Sequence, residues 1–355
     1  MTCRPLNLLN NNPPSGICRD ALPKAVFKRD PVDFQVDENL GFEPDGAGEH
    51  LWLQIKKTGI NTRDVVDALA GLLEAPQKDI GYSGLKDKHA ITTQWISVPY
   101  PIVNGLPEKA DLLGALDGIE VLQVTRSGKK LRRGVHRGNL FRICLHDVES
   151  DHDGINAKLK YVSKVGFPNY FGAQRFGTDG RNVEHARSMF TRKRKLTRFK
   201  RSIYLSAARS WLFNQVLSVR CENGSWLTVL DGDVCMLDGT NSVFRCDVSD
   251  AEIQRRHDEH DLHITGPLYG RGQAMTEGDA ARLEAECHAV DELLCSGLEQ
   301  AGLKAERRAL RATAHDLKWS WGDTNTLELS FSLQRGVYAT SLLGEVFQLQ
   351  QERLT

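Results

Sequence analysis

Three segments of this chain follow the two-residue period of a β-strand. They are LWLQI (51–55), GNLFRICLH (138–146) and TLELSFSLQ (326–334). Because neighbouring side chains of a strand point to opposite faces of the sheet, this period predicts strands that bury one face. In the middle segment one face carries Asn139, Phe141, Ile143 and Leu145. Ile143 and Leu145 suit a core, whereas the amide of Asn139 suits a hydrogen-bonding position at the rim of the sheet.

Helical patterns lie between the strands, so we expect a mixture of α and β structure. The run NTRDVVDALAGLLE (61–74) begins with a helix cap at Asn61 or Thr62. Its apolar side consists of Val65, Val66, Leu69, Leu72 and Leu73. A second helix, LSAARSWLFNQVLSVR (205–220), is expected to end near Asn223-Gly224. With 355 residues the chain exceeds what one core usually serves, which predicts two domains.

The composition is that of an ordinary globular protein. Hydrophobic residues make up 40% and charged residues 26%, and no apolar run reaches the length of a membrane span. The first residues, MTCRPLNLLNNNPPSG, lack a long apolar segment, so no secretory signal is expected.

The eight cysteines form no CxxC pair, which predicts free thiols in a reducing cytoplasm. A zinc site built from Cys235, Cys246 and His263 is an alternative that the unspecific spacing disfavours.

Charge is balanced over the whole chain but concentrated in two basic runs. The formal net charge is +0, which argues against a cationic surface over the entire protein. The segments RSGKKLRRGVHR (126–137) and RKRKLTRFKR (192–201) nevertheless carry six and seven Lys or Arg residues, while acidic residues accumulate at 277–299. A solvated surface explains either run alone. Two runs without interleaved acids favour a one-sided surface for a polyanion such as RNA or DNA.

A lone carboxylate between two cations distinguishes the segment GYSGLKDKHAITTQW (81–95). Asp87 lies between Lys86 and Lys88 on a glycine-containing loop, and the β-branched residues that follow predict a strand. A charged surface turn explains this pattern, and so does a functional carboxylate displayed by rigid flanks. A base stacked over Asp87 would strip water and favour its protonation, and a nearby cation would oppose that change. Since adjacent side chains can point away from each other, the cation could come from elsewhere in the chain.

Other catalytic patterns are weak or missing in the sequence. The sequence has no GxxxxGK[ST] phosphate loop, which disfavours binding of a nucleotide cofactor. It also has no GxSxG nucleophile elbow, which disfavours the activity of a serine hydrolase. Asp231 and Asp233 of the DGD segment could hold a metal ion, but Asp-Gly pairs are commoner in hairpin turns.

Five ordered segments carry a resemblance to a known family. GLKDKHAITTQW (84–95) resembles the signature of the tRNA pseudouridine synthase D (TruD) family, whose pattern is close to GxKDKxAxTxQ. The other segments resemble further blocks of that family, and they are VFKRDPVDF…VVDALA (26–70), HRGNLF (136–141), GFPNYFGAQRFG (166–177) and RGVYATSLLGE (335–345). One such match could arise by chance, whereas five in the same order from about residue 25 to 345 are specific.

The resemblance implies an active site. It assigns the role of catalytic nucleophile to Asp87, the aspartate of the KDK motif, and it pairs Lys28 with that carboxylate. The positions that contact the substrate uridine correspond to Phe34, Asn139 and Tyr338, and Phe141 would pack against the base. The family usually has Phe where this chain has Tyr338. Stacking survives that change, but the added hydroxyl needs a hydrogen-bond partner.

The resemblance also implies a V-shaped, two-domain protein of the α/β (α+β) class. A pseudouridine synthase-like catalytic domain with a mixed, largely antiparallel sheet would comprise residues 1–164 and 313–355. An α/β insertion (TRUD) domain would comprise residues 165–312. RNA would lie in the cleft between the two domains.

The implied activity is the isomerisation of uridine 13 of tRNA to pseudouridine without cofactor or metal. The partner would be tRNA in the cytoplasm, with no membrane and no obligate protein partner. The basic runs would then contact phosphates, and their relevant residues are Lys129, Lys130, Arg132, Arg133, Arg192, Lys193, Arg194 and Lys195.

Two other classes of function compete with this hypothesis. In a non-catalytic RNA-binding module, such as a folding chaperone, Asp87 would only order a turn. In a metal-dependent nuclease, the acids of the DGD segment would bind the ion. An Asp87→Asn variant separates the first alternative from the synthase, and sensitivity to chelators would indicate the second.

Overall fold

The alternating segments form strands of one large sheet. The structure, a computed structural model, describes residues 22–112, 117–149, 151–192, 196–322 and 325–350. The strands are β1 Lys24–Phe27, β2 Phe34–Asn39, β3 His50–Thr58, β4 Gly81–Tyr82, β5 Ile91–Pro99, β6 Ile119–Ser127, β7 Gly138–His146, β8 Phe167–Pro168, β9 Val234–Leu237, β10 Val243–Arg245, β11 Leu262–Leu268, β12 Glu306–Ala309, β13 Arg311–Ala312, β14 His315–Trp321, β15 Leu327–Gln334 and β16 Gln348–Gln350. The three segments with a two-residue period correspond to β3, β7 and β15, as predicted.

The helices lie between these strands along the chain. They are α1 Thr62–Leu72, α2 Lys109–Leu112, α3 His152–Val165, α4 Arg181–Thr191, α5 Arg198–Glu222, α6 Ala251–Asp258, α7 Gly278–Ala289, α8 Glu292–Gln300 and α9 Ala339–Leu343. In the described part of the chain, no helix combines the length and the apolar character that crossing a bilayer requires.

The chain divides into two compact units. The first, here called the sheet unit, contains residues 23–152, 314–336 and 349–350 of the described chain. The second, the helical unit, contains residues 153–313 and 337–348. The domain limits at 164/165 and 312/313, which the resemblance implied, stay a prediction.

The large sheet of the sheet unit has the strand order β14-β15-β7-β2-β5-β3-β6. Strand β1 also pairs with β7, and β4 pairs with β5. Strands β2 and β5 run parallel, whereas β7 is antiparallel to both β2 and β15, and β3 is antiparallel to both β5 and β6. The prediction of a mixed, largely antiparallel sheet is therefore confirmed.

Helix α1 packs its apolar side against the sheet. Asn61 is the N-cap, and its backbone N–H donates to Oδ2 of Asp64 at 3.3 Å. Val65, Val66 and Leu69 are buried in one cluster with apolar residues of β3 and β5. The predicted apolar side was too wide, because Leu72 in the last turn is 42% exposed.

Helix α5 forms the centre of the helical unit. It has 25 residues and ends at Glu222, close to the predicted end, but it begins at Arg198, seven residues before the predicted start. Its buried residues, among them Trp211, Leu212 and Phe213, contribute to the core of this unit. An antiparallel sheet of order β10-β9-β11-β12 belongs to the same unit.

A disulfide joins the hairpin of β9 and β10. Cys235 and Cys246 are both buried, and their sulfur atoms are bonded. The prediction of free thiols is therefore wrong for this pair, because the antiparallel hairpin brings Cys246, directly after β10, back beside β9. It holds for the free cysteines of the described chain, which are Cys144, Cys221, Cys287 and Cys295. Cys3 and Cys18 lie outside the described residues.

Candidate active site

The loop that carries Asp87 is fastened at both ends to the sheet unit. The backbone N–H of Lys86 donates to the Thr62 hydroxyl at 3.0 Å, and that hydroxyl donates to Gln94 of β5 at 2.8 Å. The N–H of Gly134 donates to the Ser83 carbonyl oxygen at 2.7 Å. These contacts tie the loop to a helix, a strand and the following basic loop. Asp87 is therefore held by its surroundings and does not lie on a free surface turn.

Both the side chain and the backbone of Asp87 have specific partners. Its carboxylate forms an ion pair with the ammonium of Lys28, and Oδ1 accepts the backbone N–H of His89 at 3.2 Å. Its carbonyl oxygen accepts a hydrogen bond of 2.6 Å from Nζ of Lys57. The side chain of Asp87 is 20% exposed and that of Lys28 is 13% exposed. The carboxylate is thus oriented and anchored, yet open to a substrate.

Lys28 adopts a backbone conformation that side chains rarely take. Its φ is +59°, in the left-handed region. Such strain usually persists only where the surroundings enforce it, and it concentrates at functional sites. Here it accompanies two contacts of the ammonium, the ion pair with Asp87 and a position 4.0 Å from the centre of the Phe34 ring.

Aromatic rings line the sheet beside this ion pair. The rings of Phe34 and Phe141 lie 5.9 Å apart, and Phe141 stacks on Phe331 at 5.5 Å. Phe34 and Phe141 are each 7% exposed. Most of their surface therefore belongs to the core, and only a small edge is open. Phe34 lies close to the carboxylate, because the Lys28 ammonium contacts both Phe34 and Asp87.

Asn139 and Glu38 lie opposite each other on β7 and β2, and Lys86 connects them. The Lys86 ammonium donates to Oδ1 of Asn139 and lies 3.3 Å from Oε2 of Glu38. Glu38 also accepts from the Ser83 hydroxyl and, at 3.2 Å, from the Trp95 N–H. Burial lowers the pKa of Lys86, and the Glu38 charge opposes that shift. Lys86 thus points away from its neighbour Asp87, and the cation at Asp87 comes from Lys28.

Lys57 is a site residue that the sequence analysis missed. It is 1% exposed, and Nζ donates to the carbonyl oxygens of Asp87 and Ile60 at 2.6 and 2.7 Å. Burial lowers its pKa to about 8, which the Asp87 charge partly opposes. A signal was available. Leu51, Leu53, Ile55 and Lys57 share one face of β3, so the period places a lysine where a core residue is expected. Glu38 follows Phe34 and Val36 on β2 in the same way.

The first basic run forms an anchored loop after β6. The N–H of Leu131 donates to the Ser97 hydroxyl at 2.9 Å, and Trp52 Nε1 donates to the Lys129 carbonyl oxygen at 2.9 Å. The exposed side chains of this loop include Lys129, Lys130, Arg132 and Arg133. They are four cations on the loop that contacts the Asp87 loop through Gly134. In the second run Arg192 is exposed, whereas Lys193, Arg194 and Lys195 lie outside the described residues.

Tyr338 belongs to the helical unit, whereas Asp87, Lys28 and the residues predicted to hold the base beside them belong to the sheet unit. Its hydroxyl accepts a hydrogen bond of 2.9 Å from Nε of Arg175, and Nη1 of the same arginine donates to the Ser206 hydroxyl at 3.0 Å. Its ring packs edge-on against Phe171 at 6.1 Å. The polar partner that the Phe-to-Tyr difference requires is thus present, and it is an arginine.

The two alternative metal sites from the sequence find no support. Asp233 of the DGD segment is fully buried and forms a double ion pair with Arg220, with distances of 3.1 and 2.8 Å. Its charge is therefore already compensated. Cys235 and Cys246 are bonded to each other, so they offer no thiolate to a zinc ion.

The fold has a counterpart among solved structures. A crystal structure assigned to tRNA pseudouridine synthase D (TruD) of Methanosarcina mazei superimposes with a TM-score of 0.70, covers 92% of this chain and 94% of its own, and is 20% identical. The mixed sheet that displays the carboxylate loop therefore belongs to a fold that this solved structure shares.

Sequence comparison identifies the family. The family model for tRNA pseudouridine synthase D (TruD) matches residues 23–193 and 186–346. The tRNA pseudouridine synthase D of Methylococcus capsulatus is 45% identical over 326 residues, which cover 91% of this chain and 90% of the relative. That of Xanthomonas campestris is 44% identical over 342 residues and 92% of each chain. The chain belongs to the TruD family, as its motifs predicted, and its enzyme class is that of the isomerases.

Proposed function

We propose that the protein isomerises uridine 13 of tRNA to pseudouridine, with Asp87 as the nucleophile and without a cofactor. The observation that carries this proposal is the carboxylate of Asp87, anchored by Lys28 beside the rings of Phe34 and Phe141. It supports the proposal because the reaction needs an anionic oxygen next to a surface that holds a planar base.

The net reaction explains why amino-acid side chains can catalyse it without a cofactor. The N1–C1′ bond of uridine breaks, C5 bonds to C1′, the hydrogen on C5 leaves as a proton, and N1 takes up a proton. No atom is gained or lost and no oxidation occurs, so neither a redox group nor a co-substrate is required. The carboxylate either adds to the uracil ring or acts at the ribose, where it traps positive charge or removes a proton.

Each neighbouring residue has a defined task in this proposal. Lys28 holds a positive charge against the Asp87 carboxylate when the base displaces water, and this charge stabilises the anionic oxygen through the ion pair. Phe34 and Phe141 present apolar edges that hold the detached uracil while it turns, since ring contacts do not depend on one arrangement of polar atoms. Asn139 offers an amide to the polar edge of the base. Lys86 fixes the orientation of that amide through its contact with Oδ1.

The base must leave its stack to reach Asp87, which costs a few kcal/mol of unstacking in a helical RNA. We propose that contacts to the tRNA backbone offset this cost. The exposed cations of the loop after β6 support this step, since that loop touches the Asp87 loop through the Gly134–Ser83 hydrogen bond. The second basic run is proposed to contribute in the same way. A cytoplasmic location, where tRNA is processed, belongs to the same proposal.

Asp87→Asn tests the assignment. The variant keeps the shape of the side chain but loses the anionic oxygen, so we expect tRNA binding to remain and pseudouridine formation to disappear. Pseudouridine is mapped chemically at each uridine of tRNA after incubation with the wild type or a variant. Asp37→Asn is a matched control, because Asp37 also pairs with a cation, Arg142 at 2.6 Å, but from the opposite face of β2. Product from Asp87→Asn at the wild-type rate, or no product from the wild type, would refute the proposal.

A further inference from the structure

A cluster of three metal-binding side chains lies on the sheet unit, away from Asp87. Asp33, at the end of the 3-10 helix Pro31–Asp33, meets Cys144 and His146 of β7. One potential ligand atom from each residue lies within 4.8 Å of the other two. Donor atoms around a tetrahedral zinc ion lie about 3.3–3.6 Å apart, so side-chain shifts of about 1 Å would complete such a set.

The contact between His146 and Asp33 indicates that both side chains face a third atom. Nε2 of His146 lies 2.9 Å from Oδ1 of Asp33. Nevertheless, this buried nitrogen has no partner with hydrogen-bond geometry. A hydrogen-bonded pair would point at each other, whereas two ligands of one ion lie side by side and point at the ion. Oδ2 of Asp33 is already used, since it accepts the Asp30 N–H at 2.8 Å, which fixes the carboxylate and leaves Oδ1 available.

The surroundings allow a cation to enter and add negative charge. Glu328 of β15 lies directly across from Cys144 in the register of the two strands. Both residues line a cavity of about 450 Å³ on this face of the sheet, so Cys144 is reached through that cavity, and a water or Glu328 has room to serve as fourth ligand. The nearby cations Arg29 and Arg142 are paired with Asp147 and Asp37.

We infer that Asp33, Cys144 and His146 form a binding site for a borderline-soft divalent cation, with Zn²⁺ as the matching ion. A thiolate, an imidazole and a carboxylate are the ligand types that zinc prefers in proteins. Cys144 and His146 lie on the face of β7 opposite to Asn139 and Phe141, so the ion takes no part in the isomerisation. It ties the 3-10 helix that precedes Phe34 to the central strand. A single Cys-x-His pair is too short to indicate such a site from the sequence alone.

Metal titration of the full chain tests this inference. The purified protein is freed of metal with a chelator, kept under argon without added reductant so that the Cys235–Cys246 disulfide stays closed, and titrated with Co²⁺ and then Zn²⁺. We expect one Co²⁺ per chain with the near-ultraviolet absorption of a thiolate–cobalt bond, and displacement by Zn²⁺. Cys144→Ser should abolish that absorption, and His146→Gln should weaken the affinity about 10-fold or more.

Matched variants separate this site from other thiols and imidazoles. Cys295→Ser removes another free cysteine, and His260→Ala removes a histidine of the 257–263 segment, so both should bind the metal as the wild type does. Zn²⁺ should also raise the unfolding temperature of the wild type but not that of His146→Gln. This second measurement tests the site even if Cys144→Ser folds poorly. No stoichiometric binding, a thiolate band that survives in Cys144→Ser, or one lost in Cys295→Ser would overturn the inference.

Discussion

Three lysines meet the Asp87 loop, and each has a different partner. Lys28 pairs with the carboxylate of Asp87, Lys57 binds the carbonyl oxygen of the same residue, and Lys86 bridges Glu38 and Asn139. Their roles are therefore separable. Loss of Lys28 removes the ion pair that anchors the Asp87 carboxylate. Loss of Lys57 acts on the position of the loop, and loss of Lys86 leaves Glu38 as an uncompensated buried charge.

The buried Lys57 predicts a dependence of stability on pH. Folding lowers its pKa from 10.5 to about 8, so between these values the unfolded chain binds a proton that the folded chain does not. Stability contributed by this residue therefore rises with pH across that interval and is flat below it. Relative to Lys57→Met, the wild-type free energy of unfolding should rise by at most about 1.4 kcal/mol per pH unit between pH 8 and 10. Urea unfolding at a series of pH values measures this difference.

The comparison with the variant matters because other lysines and tyrosines also titrate in this range. Lys56 is the natural control, since it directly precedes Lys57 but its side chain is 43% exposed, and its only charged partner within ion-pair distance among the described residues is Glu120 at 3.6 Å. Lys56→Met should leave the slope unchanged. Equal slopes for the wild type and Lys57→Met would show that the ammonium of Lys57 is not desolvated by folding.

Tyr338 gives a second prediction at the scale of one residue, which depends on the proposed function. Tyr338→Phe keeps the ring and loses one hydrogen bond from Arg175, about 1 kcal/mol, so single-turnover isomerisation of tRNA should change by no more than about 5-fold. Tyr338→Ala also loses the stacking surface, worth about 1–3 kcal/mol per base, and should slow the reaction about 10-fold to 100-fold. Equal losses in both variants would assign the role to the hydroxyl instead of the ring.

The individual elements of the sheet unit were largely predictable from the sequence. Strand β7 has the predicted limits, 138–146, and α1 begins at the predicted cap, because period and capping are local signals. The early start of α5 was not predictable in this way. Basic residues near the N-terminus of a helix interact unfavourably with its dipole, so the local sequence predicts that the basic run ends before the helix begins. In the structure, packing of the following turns extends the helix to Arg198.

The candidate site was predictable only in part, for a physical reason. Asp87 and Asn139 stood out by local patterns, whereas the pairing of Lys28 with Asp87 came from the family motifs, since no local pattern shows that residues 28 and 87 meet. Lys57 and Glu38 were missed because a charged residue on an apolar face is normally taken as the end of the strand. The disulfide of Cys235 and Cys246 was missed because it depends on the register of a hairpin whose strands are short.

The two glycines of the Asp87 loop should differ in their tolerance of substitution. A Cβ at Gly81 would lie 2.3 Å from the Leu131 carbonyl oxygen and 2.6 Å from the Ser97 hydroxyl, so β4 and the basic loop would have to separate. Gly81→Ala should therefore destabilise the protein by about 1–3 kcal/mol in urea unfolding. Gly84→Ala is the matched control, because its Cβ would come no closer than 3.9 Å to His136, and it should stay within about 0.5 kcal/mol of the wild type. Similar losses for both would indicate that the loop requires backbone freedom instead of space.

At the scale of the whole molecule, balanced net charge and strong local charge have different consequences. A net charge of +0 provides no general attraction to RNA, so binding must depend on the local runs. One exposed run belongs to the sheet unit, and the other includes Arg192 of the helical unit. If both contact phosphates, each should contribute its own share to the salt dependence of tRNA binding.

This expectation can be measured with variants matched in charge. Each lost phosphate contact lowers the slope of log affinity against log salt concentration by about 0.7–0.9. Replacement of Lys129 and Arg132 with Ala should therefore flatten the slope by about 1.5, and replacement of 192–195 by about 3. Lys160 and Lys164 are exposed lysines of α3 outside both runs. Their double Ala variant removes as much charge as the variant at Lys129 and Arg132, and it should leave the slope unchanged. If all three variants flatten it in proportion to the charge removed, tRNA responds only to net charge, and neither run is a binding surface.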